Sequence, residues 1–353
     1  MTREPVFPFE ALGAATTDEE PSADDLLADY VAAGGTPQML LQQLNRMMSG
    51  AFDEPKQMGW IVHGEEYLPI LEFIDDFRDC ALPLVADAID WSNWKALNLL
   101  ISRGARLDLA SDRAGLPLCA AVWSDERAVV GLVNQLLDAG ADPDSCGSDG
   151  ETALMSASRY GLHHVVSRLI EAGADVHRRD NRGYTALHFA AAPSSSDDFS
   201  SEADIVKVFE LLLKAGVNPN ARDFARDTPL HVLACVRDGF TRDESARALD
   251  LLVRYGADLE SVGESSKTPI FVAALNMTRG DIMVDLLYRA GANIHAKVFG
   301  LHGILSESEN SFGPSDSVKR VVNSIFMEEN IDAALDLEGG DVPTPSTSGF
   351  SPM

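Results

Sequence analysis

Few residues in this chain are arranged for catalysis or metal binding. Among the eight histidines, the one adjacent pair is His163 and His164, which point in different directions on a helix and have no HExxH partner. The four cysteines stand far apart without a CxxC pair, so we expect reduced thiols and no zinc site. There is no GxxxxGK phosphate loop, no GxGxxG opening a helix and no GxSxG turn. We therefore expect no enzyme, no metal ion and no cofactor.

The composition narrows the class of protein further. The chain has 353 residues, of which 45% are hydrophobic and 24% charged, as in an ordinary globular protein. Its formal net charge is -27, which disfavours direct nucleic-acid binding because phosphate contacts need clustered Lys and Arg. No apolar run approaches the roughly 18 residues of a membrane span. Because the N-terminus also lacks an apolar signal region, we predict a cytoplasmic protein, with export by a route that needs no such signal left open.

Two short patterns alternate along the middle of the chain. A Thr-Pro-Leu-like triplet begins each of six units, numbered 1 to 6 here, and a Gly-Ala pair (once Gly-Val) ends it. From each Gly to the next triplet the distance is 12 residues in all five cases, whereas triplet to Gly varies from 21 to 31 residues. The connection from each Gly to the next triplet therefore has a fixed length, whereas the segment from triplet to Gly accepts insertions. The triplets begin at Leu82, Leu116, Thr152, Thr185, Thr228 and Thr268, and the glycines are Gly104, Gly140, Gly173, Gly216, Gly256 and Gly291.

These repeated residues resemble the ankyrin repeat family. GYTALHFAA at 183–191 is close to the family consensus, and GETALMSASRYGLHHVVSRLIEAGADV at 150–176 is a full copy. The resemblance covers about residues 81–300 and implies an all-α solenoid of stacked helix-turn-helix units with β-hairpin loops. It also implies that His188 and His231 are structural hydrogen-bonding groups between loops. Partners of this family usually lie across a concave face built from the hairpin tips and the first helices.

The local sequence independently predicts two helices in each unit. Threonine opens four triplets, and its side-chain oxygen can accept a hydrogen bond from the N–H groups of a helix start. Proline follows twice, as suits the first helical position. Apolar pairs four residues apart then predict a second helix, which the Gly of the Gly-Ala pair ends in a left-handed conformation. The predicted N-caps are Thr152, Thr185, Thr228 and Thr268, and the prolines are Pro229 and Pro269.

The regions outside the repeat differ in character. Residues 23–80 do not keep the period and suggest helices at 24–33, 37–49 and about 65–78, which form either an N-terminal cap or a small independent domain. Both ends of the chain are acidic and poor in apolar residues. The predicted segments are a flexible acidic tail (1–22), the helical region (23–80), the ankyrin array (81–302), a degenerate capping repeat (303–332) and a disordered tail (333–353).

Insertions interrupt two of the units. The longest is PSSSDDFSSEAD at 193–204, and the next falls within VRDGFTRDE at 236–244. We expect both between the two helices of their units, at the end opposite the hairpin tips. They are either tolerated surface loops or a second partner-specific surface, and the first could be a phosphorylatable Ser/Asp patch.

Two neighbouring hairpin tips reverse the sign of the surrounding charge. HRRDNRGY (177–184) and ARDFAR (221–226) carry five arginines with two aromatic residues, which are types that interface hot spots favour. The groove between these tips and the first helices could also be lined by Trp123, Arg159 and Tyr160, which lie seven or eight positions past the starts of their triplets. Alternatively, the tip arginines simply pair with Asp180 and Asp223. The candidate partner-binding residues are Arg178, Arg179, Arg182, Tyr184, Arg222, Phe224, Arg226, Trp123, Arg159 and Tyr160.

The sequence therefore favours a non-enzymatic, monomeric scaffold or adaptor that binds another protein, with no direct contact to nucleic acid or a membrane. The alternative is an acidic inhibitor or antagonist, of an effector, immunity or nucleic-acid-mimic type, that blocks a basic partner. The layout is similar to that of the cytoplasmic inhibitors of Rel-family transcription factors, although the N-terminal region lacks their DSGxxS motif.

Overall fold

Each unit of the repeat folds as a pair of antiparallel helices joined to the next unit by a loop. In the computed structural model the first helix has six or seven residues and the second has nine to thirteen. First helices pack on the first helices of the neighbouring units, as expected for a solenoid. The prediction of an all-α ankyrin solenoid is confirmed. The pairs are Leu84–Asp90 with Trp94–Ser102, Pro117–Trp123 with Glu126–Asp138, Ala153–Arg159 with His163–Glu171, Ala186–Ala191 with Ile205–Lys214, Pro229–Cys235 with Arg242–Arg254, and Pro269–Leu275 with Gly280–Arg289.

The predicted helix ends are also confirmed. All four threonines are N-caps, and at Thr152 the side chain accepts a hydrogen bond from the N–H of Met155. Pro229 and Pro269 stand at the start of their helices, where no N–H is required. The six repeat glycines have φ between 75° and 100°, a left-handed conformation that glycine adopts without steric cost.

The loops between units are tight turns that contain no regular strand in the part of the chain that the structure describes. They hold two isolated bridge pairs, Ser111 with Gly115 and Cys146 with Thr152. Side chains, in place of a paired strand, accept hydrogen bonds from backbone N–H groups of these loops. At the unit 4 loop, for example, the Asp180 carboxylate accepts hydrogen bonds from the N–H groups of Arg182 and Tyr184.

Within the described residues, three helices precede the array, close to their predicted positions. They span Ala23–Ala32, Pro37–Met48 and Leu68–Phe73, and the N–H of Met39 donates to the side chain of Thr36. The third helix packs against both the first of these helices and the second helix of unit 1. Because these contacts continue the core of the array, we propose that this region is a cap and not an independent domain.

A long helix, Asp316–Glu338, follows the array and packs on the second helix of unit 6. Val318, Val322 and Ile325 are buried in this contact, and the helix extends past residue 332, where the predicted capping repeat ends. The triplet-like start of this capping unit at Gly303 lies outside the described residues, as does most of both predicted tails.

The two insertions leave their units where the sequence predicts, between the first and second helices, although residues 195–203 and 237–239 lie outside the described part of the chain. The structure describes residues 5–8, 22–48, 62, 68–111, 115–124, 126–194, 204–236, 240–263, 266–276, 278–294 and 315–338.

Candidate functional site

The loop before unit 4, residues 177–184 and called tip 4 here, is built around one buried carboxylate. The side chain of Asp180 is 3% exposed and accepts hydrogen bonds from the backbone N–H groups of Arg182 at 2.9 Å and Tyr184 at 2.7 Å. Its second oxygen accepts from Nε of Arg182 at 2.9 Å. Hydrogen bonds to an ionised group are the stronger kind, so this carboxylate fixes the shape of the tip.

The loop before unit 5, residues 221–226 and called tip 5, is also shaped by a carboxylate that accepts a backbone hydrogen bond. Hydrogen bonds join it to tip 4. The carboxylate of Asp223 accepts from the N–H of Asp227 at 2.7 Å, and burial raises the pKa of that carboxyl. The N–H of Phe224 donates to the carbonyl of Arg182 at 3.0 Å. Nη1 of Arg179 donates to the carbonyl of Arg222 at 2.6 Å. The two tips therefore present one continuous surface.

The arginines of these tips keep most of their positive charge uncompensated. Only Arg182 forms an ion pair within the described residues, with Asp180. Arg178 donates to the carbonyl of Asp144 and to the sulfur of Cys146, which are neutral acceptors. Arg222 and Arg226 are exposed, and their side chains have no hydrogen-bond or ion-pair partner within the described residues. Pairing with Asp180 and Asp223 thus accounts for one of the five arginines.

Phe224 projects from the middle of this basic surface with 75% of its area exposed. It is held against Gly183, where an added Cβ would lie 3.1 Å from both the Phe224 ring and its backbone nitrogen. The φ of Gly183 is 83°, so both the conformation and the space at this position require glycine. An exposed aromatic ring on a fixed backbone loses little entropy on binding, as suits an interface anchor.

A stack of cations and rings links tip 4 to unit 3. The guanidinium carbon of Arg182 lies 4.6 Å from the centre of the Tyr184 ring, and that of Arg159 lies 4.6 Å from the centre of the Phe189 ring. Arg159 also forms an ion pair with Glu151 at 3.1 Å. Phe189 is absent from the residues that the sequence indicates, because an apolar residue on a first helix reads as ordinary core.

Two other predicted residues lie away from the tips. Trp123, which is 50% exposed, and Tyr160, which is half-buried, stand at the far ends of their first helices. Seven residues of helix place them about 10 Å from the tips along the helix axis. They lie on units 2 and 3, beside the basic surface and not within it.

A pocket of about 400 Å³ opens beside the tips, along the first helices of units 4 to 6. It exists because the position seven residues after the triplet, which holds Trp123 in unit 2 and Arg159 in unit 3, holds the short residues Ala192 and Cys235 in units 4 and 5. The pocket is lined by Tyr184, Ala192, Asp227, His231, Val232, Cys235, Val236, Lys267 and Val272.

Arg226 adopts a strained backbone conformation. Its φ is 68°, in the left-handed region, at a position two residues before the triplet where units 3 and 4 use Gly150 and Gly183. Ser266 has the same conformation in the next loop. A left-handed residue other than glycine costs about 1 kcal/mol or more.

We expect Arg226→Gly to leave the free energy of unfolding unchanged or to raise it by up to about 1 kcal/mol, because relief of strain offsets the added chain entropy. Urea unfolding of the two proteins measures this. A loss of more than about 1 kcal/mol would show that the Arg226 side chain is structural, and Arg226→Lys, which keeps the strain, is the matched control.

Two buried histidines near the tips, His188 and His231, have structural roles. Burial lowers the pKa of His188 to about 4 and also lowers that of His231. Nδ1 of His188 accepts from the N–H of Thr185 at 3.1 Å, and Nε2 lies 3.3 Å from the carbonyl of Asp227 in the next loop. His231 makes the equivalent link to Lys267. Both histidines thus join loops, as the family resemblance implies.

Three further observations concern thiol reactivity, metal binding and membrane spans in the described residues. Burial raises the pKa of Cys119 to about 12, which makes that thiol a poor nucleophile at neutral pH. Among the residues described, no three His, Cys, Asp or Glu side chains cluster as metal ligands would. None of the described helices is both long enough and apolar enough to cross a membrane.

Comparisons with known proteins agree with the repeat architecture. Residues 118–223 match the family model of ankyrin repeats in three copies. The chain is 33% identical over 134 residues to the Neurogenic locus Notch protein of Drosophila melanogaster, a match that covers 37% of this chain and 4% of that protein. It is 32% identical over 136 residues to Neurogenic locus notch homolog protein 2 of Homo sapiens, covering 38% of this chain and 5% of that protein. The match therefore spans a small fraction of these relatives.

Among solved structures, the ankyrin repeat domain of Bcl-3, a member of the IkappaB protein family, aligns with a TM-score of 0.49 and 23% identity. The alignment covers 69% of this chain and 98% of that one. Ankyrin repeats are in general non-enzymatic modules that bind other proteins. The repeated helix pairs, threonine N-caps and left-handed glycines of this chain, together with the family model matched at residues 118–223, show that it contains ankyrin repeats.

Proposed function

We propose that this protein is a scaffold or adaptor that binds a protein partner through tips 4 and 5 and the adjoining first helices. The observation that carries the proposal is the uncompensated charge of Arg178, Arg179, Arg222 and Arg226 around the exposed ring of Phe224. Arginine and aromatic residues dominate the energetics of protein interfaces. The same charge could not stabilise the fold much, since exposed charges contribute little.

The surface is also preorganised for binding. Hydrogen bonds between successive loops run from Asn181 to Asp149 at 2.8 Å, from Phe224 to Arg182 at 3.0 Å and from His231 to Lys267 at 3.1 Å. A partner that binds this surface would not have to order it. The affinity then depends on the contacts with the partner, because the loops lose their conformational entropy when the protein folds and not when the partner binds.

An acidic antagonist that captures a basic partner by charge would use other surfaces, because the exposed charge of tips 4 and 5 is positive. The salt dependence of binding distinguishes the two. Binding at tips 4 and 5 keeps part of its affinity at moderate ionic strength through the exposed ring of Phe224, whereas a purely electrostatic decoy loses nearly all of its affinity.

The combined variant Arg179→Ala, Arg182→Ala and Phe224→Ala is expected to weaken partner binding at least tenfold, because it removes two cations and the exposed ring. The partner is first isolated by affinity purification with the full chain and identified by mass spectrometry. The purified proteins are then titrated by isothermal calorimetry, with circular dichroism as the check of folding.

The matched control is Lys214→Ala, Arg254→Ala and Tyr255→Ala, which removes two cations and an exposed ring from the second-helix side of units 4 and 5. We expect the control to bind as the unchanged protein does. Unchanged affinity in the tip variant, or an equal loss in the control, would refute the proposal.

A further inference from the structure

The pocket on units 4 to 6 is continuous with the basic tips. Tyr184 belongs to tip 4 and forms one wall, and Asp227, whose N–H is held by Asp223 of tip 5, forms another. Lys267, from the loop before unit 6, also lines the pocket, so the lining holds one cation beside the acidic residue Asp227. The walls between these residues are mainly small and apolar. A volume of about 400 Å³ is in the range of sites that take a single large side chain or a small ligand.

The basic surface is narrow, because the loops on both sides of it are acidic. The loop before unit 3 carries the exposed Asp149 next to tip 4, and the loop before unit 6 carries the exposed Glu260. Packed helices lie about 10 Å apart, so two tips span about 20 Å along the stack. An extended chain covers about 3.5 Å per residue, and about five or six residues therefore cross the basic surface.

We propose that the partner presents a short acidic block of about five residues across tips 4 and 5, with a large apolar side chain beside that block seated in the pocket of units 4 to 6. This inference rests on the proposed function and names the chemistry of the partner. Arginine charge recruits the block, Asp149 and Glu260 repel any longer run of acid, and the apolar side chain fixes the position of the segment. The flanking acids also make the surface unsuited to a long polyanion such as nucleic acid.

The test uses fluorescein-labelled synthetic peptides and the full chain, with binding followed by fluorescence anisotropy. The reference peptide carries about five glutamates, two Gly-Ser spacer residues and one tryptophan, made with the tryptophan on either side of the block. Replacing the tryptophan by serine is expected to weaken binding about tenfold or more, since it removes the burial of a large apolar side chain. Doubling the glutamate block is expected to leave the affinity within about twofold, because the added acids meet Asp149 or Glu260.

Variants of the chain separate the two halves of the site. Cys235→Phe places a ring in the pocket and is expected to make the tryptophan and serine peptides bind equally, whereas Cys235→Ser leaves the pocket open and keeps their difference. Arg222→Ala with Arg226→Gly is expected to weaken the dependence on the glutamates, because only the arginines of tip 4 remain. Thermal unfolding checks that each variant is folded. We expect all of them to fold, because the three substituted side chains are exposed.

Four results would overturn the inference. They are no binding by any peptide of the series, equal binding of the tryptophan and serine peptides to the unchanged chain, affinity that rises steadily with block length, and displacement of the peptide by a single-stranded oligonucleotide. None of these results decides the proposed function itself, which is tested separately by the binding of the tip variant and its control to the natural partner.

Discussion

At pH 5 the protein is expected to be less stable than at pH 7.5, by about 2 kcal/mol for the protonation of His188 alone. Burial lowers the pKa of His188 to about 4 in the folded chain, against about 6.5 for an unfolded histidine. The unfolded chain therefore binds the proton first, so this contribution to stability is complete above pH 6.5 and is lost as the pH falls towards 4. His231, whose pKa is also lowered by burial, changes stability in the same direction.

The structure shows why protonation is unfavourable. Nδ1 of His188 accepts a hydrogen bond from the N–H of Thr185, and an imidazolium would bring a second N–H to the same place. Urea unfolding at the two pH values measures the effect, and His188→Gln is the control because it removes the titration and keeps hydrogen-bonding capacity. We expect the variant to lose stability at pH 7.5 but to depend less on pH. An unchanged pH dependence in the variant would contradict the assignment.

Asp180→Ala is expected to lower the free energy of unfolding by about 3 kcal/mol, because it leaves two backbone N–H groups without their acceptor. The carboxylate is 3% exposed and holds Arg182 and Tyr184 at 2.9 and 2.7 Å. The neighbouring Arg182 side chain loses its ion pair in the same substitution. Because this turn shapes tip 4, we expect the variant to lose partner affinity as well.

Asp180→Asn retains one acceptor oxygen and is expected to cost about 1 kcal/mol, through its amide facing the Arg182 guanidinium. Asp243→Ala, which removes an exposed acid from the start of the second helix of unit 5, is the control for charge and is expected to cost a few tenths of a kcal/mol. Urea unfolding ranks the three variants. Equal effects of all three would show that Asp180 acts only through the net charge.

The repeat made the helices predictable from the sequence, because the cues are local. A threonine three residues before a helical N–H and a glycine that adopts a left-handed φ act on their own neighbours. The position of Thr185 as N-cap follows in this way, whereas the role of His188 as a link between loops was implied by the family resemblance. The insertion after Ala192 follows from the constancy of the other connection.

The pocket and the stacking of rings could not be predicted in the same way, because they depend on side chains from different units. The space beside the short side chains of Ala192 and Cys235 becomes a pocket because Tyr184 and Val272, from other parts of the array, form further walls. The sequence also left open whether Asp223 pairs with an arginine of the tips. In the structure its carboxylate accepts a backbone N–H, which a sequence pattern does not reveal. Short side chains seven residues after the triplet were the available signal for the pocket.

The most direct test of the partner surface is hydrogen–deuterium exchange of the full chain with and without its purified partner, read by mass spectrometry. We expect the partner to slow exchange at residues 177–191 and 221–236, which contain tips 4 and 5 and the first helices that follow them. Exchange in the second helices, such as Arg242–Arg254, is expected to stay the same. Protection confined to the second helices or to the region before unit 1, with tips 4 and 5 unchanged, would contradict the account.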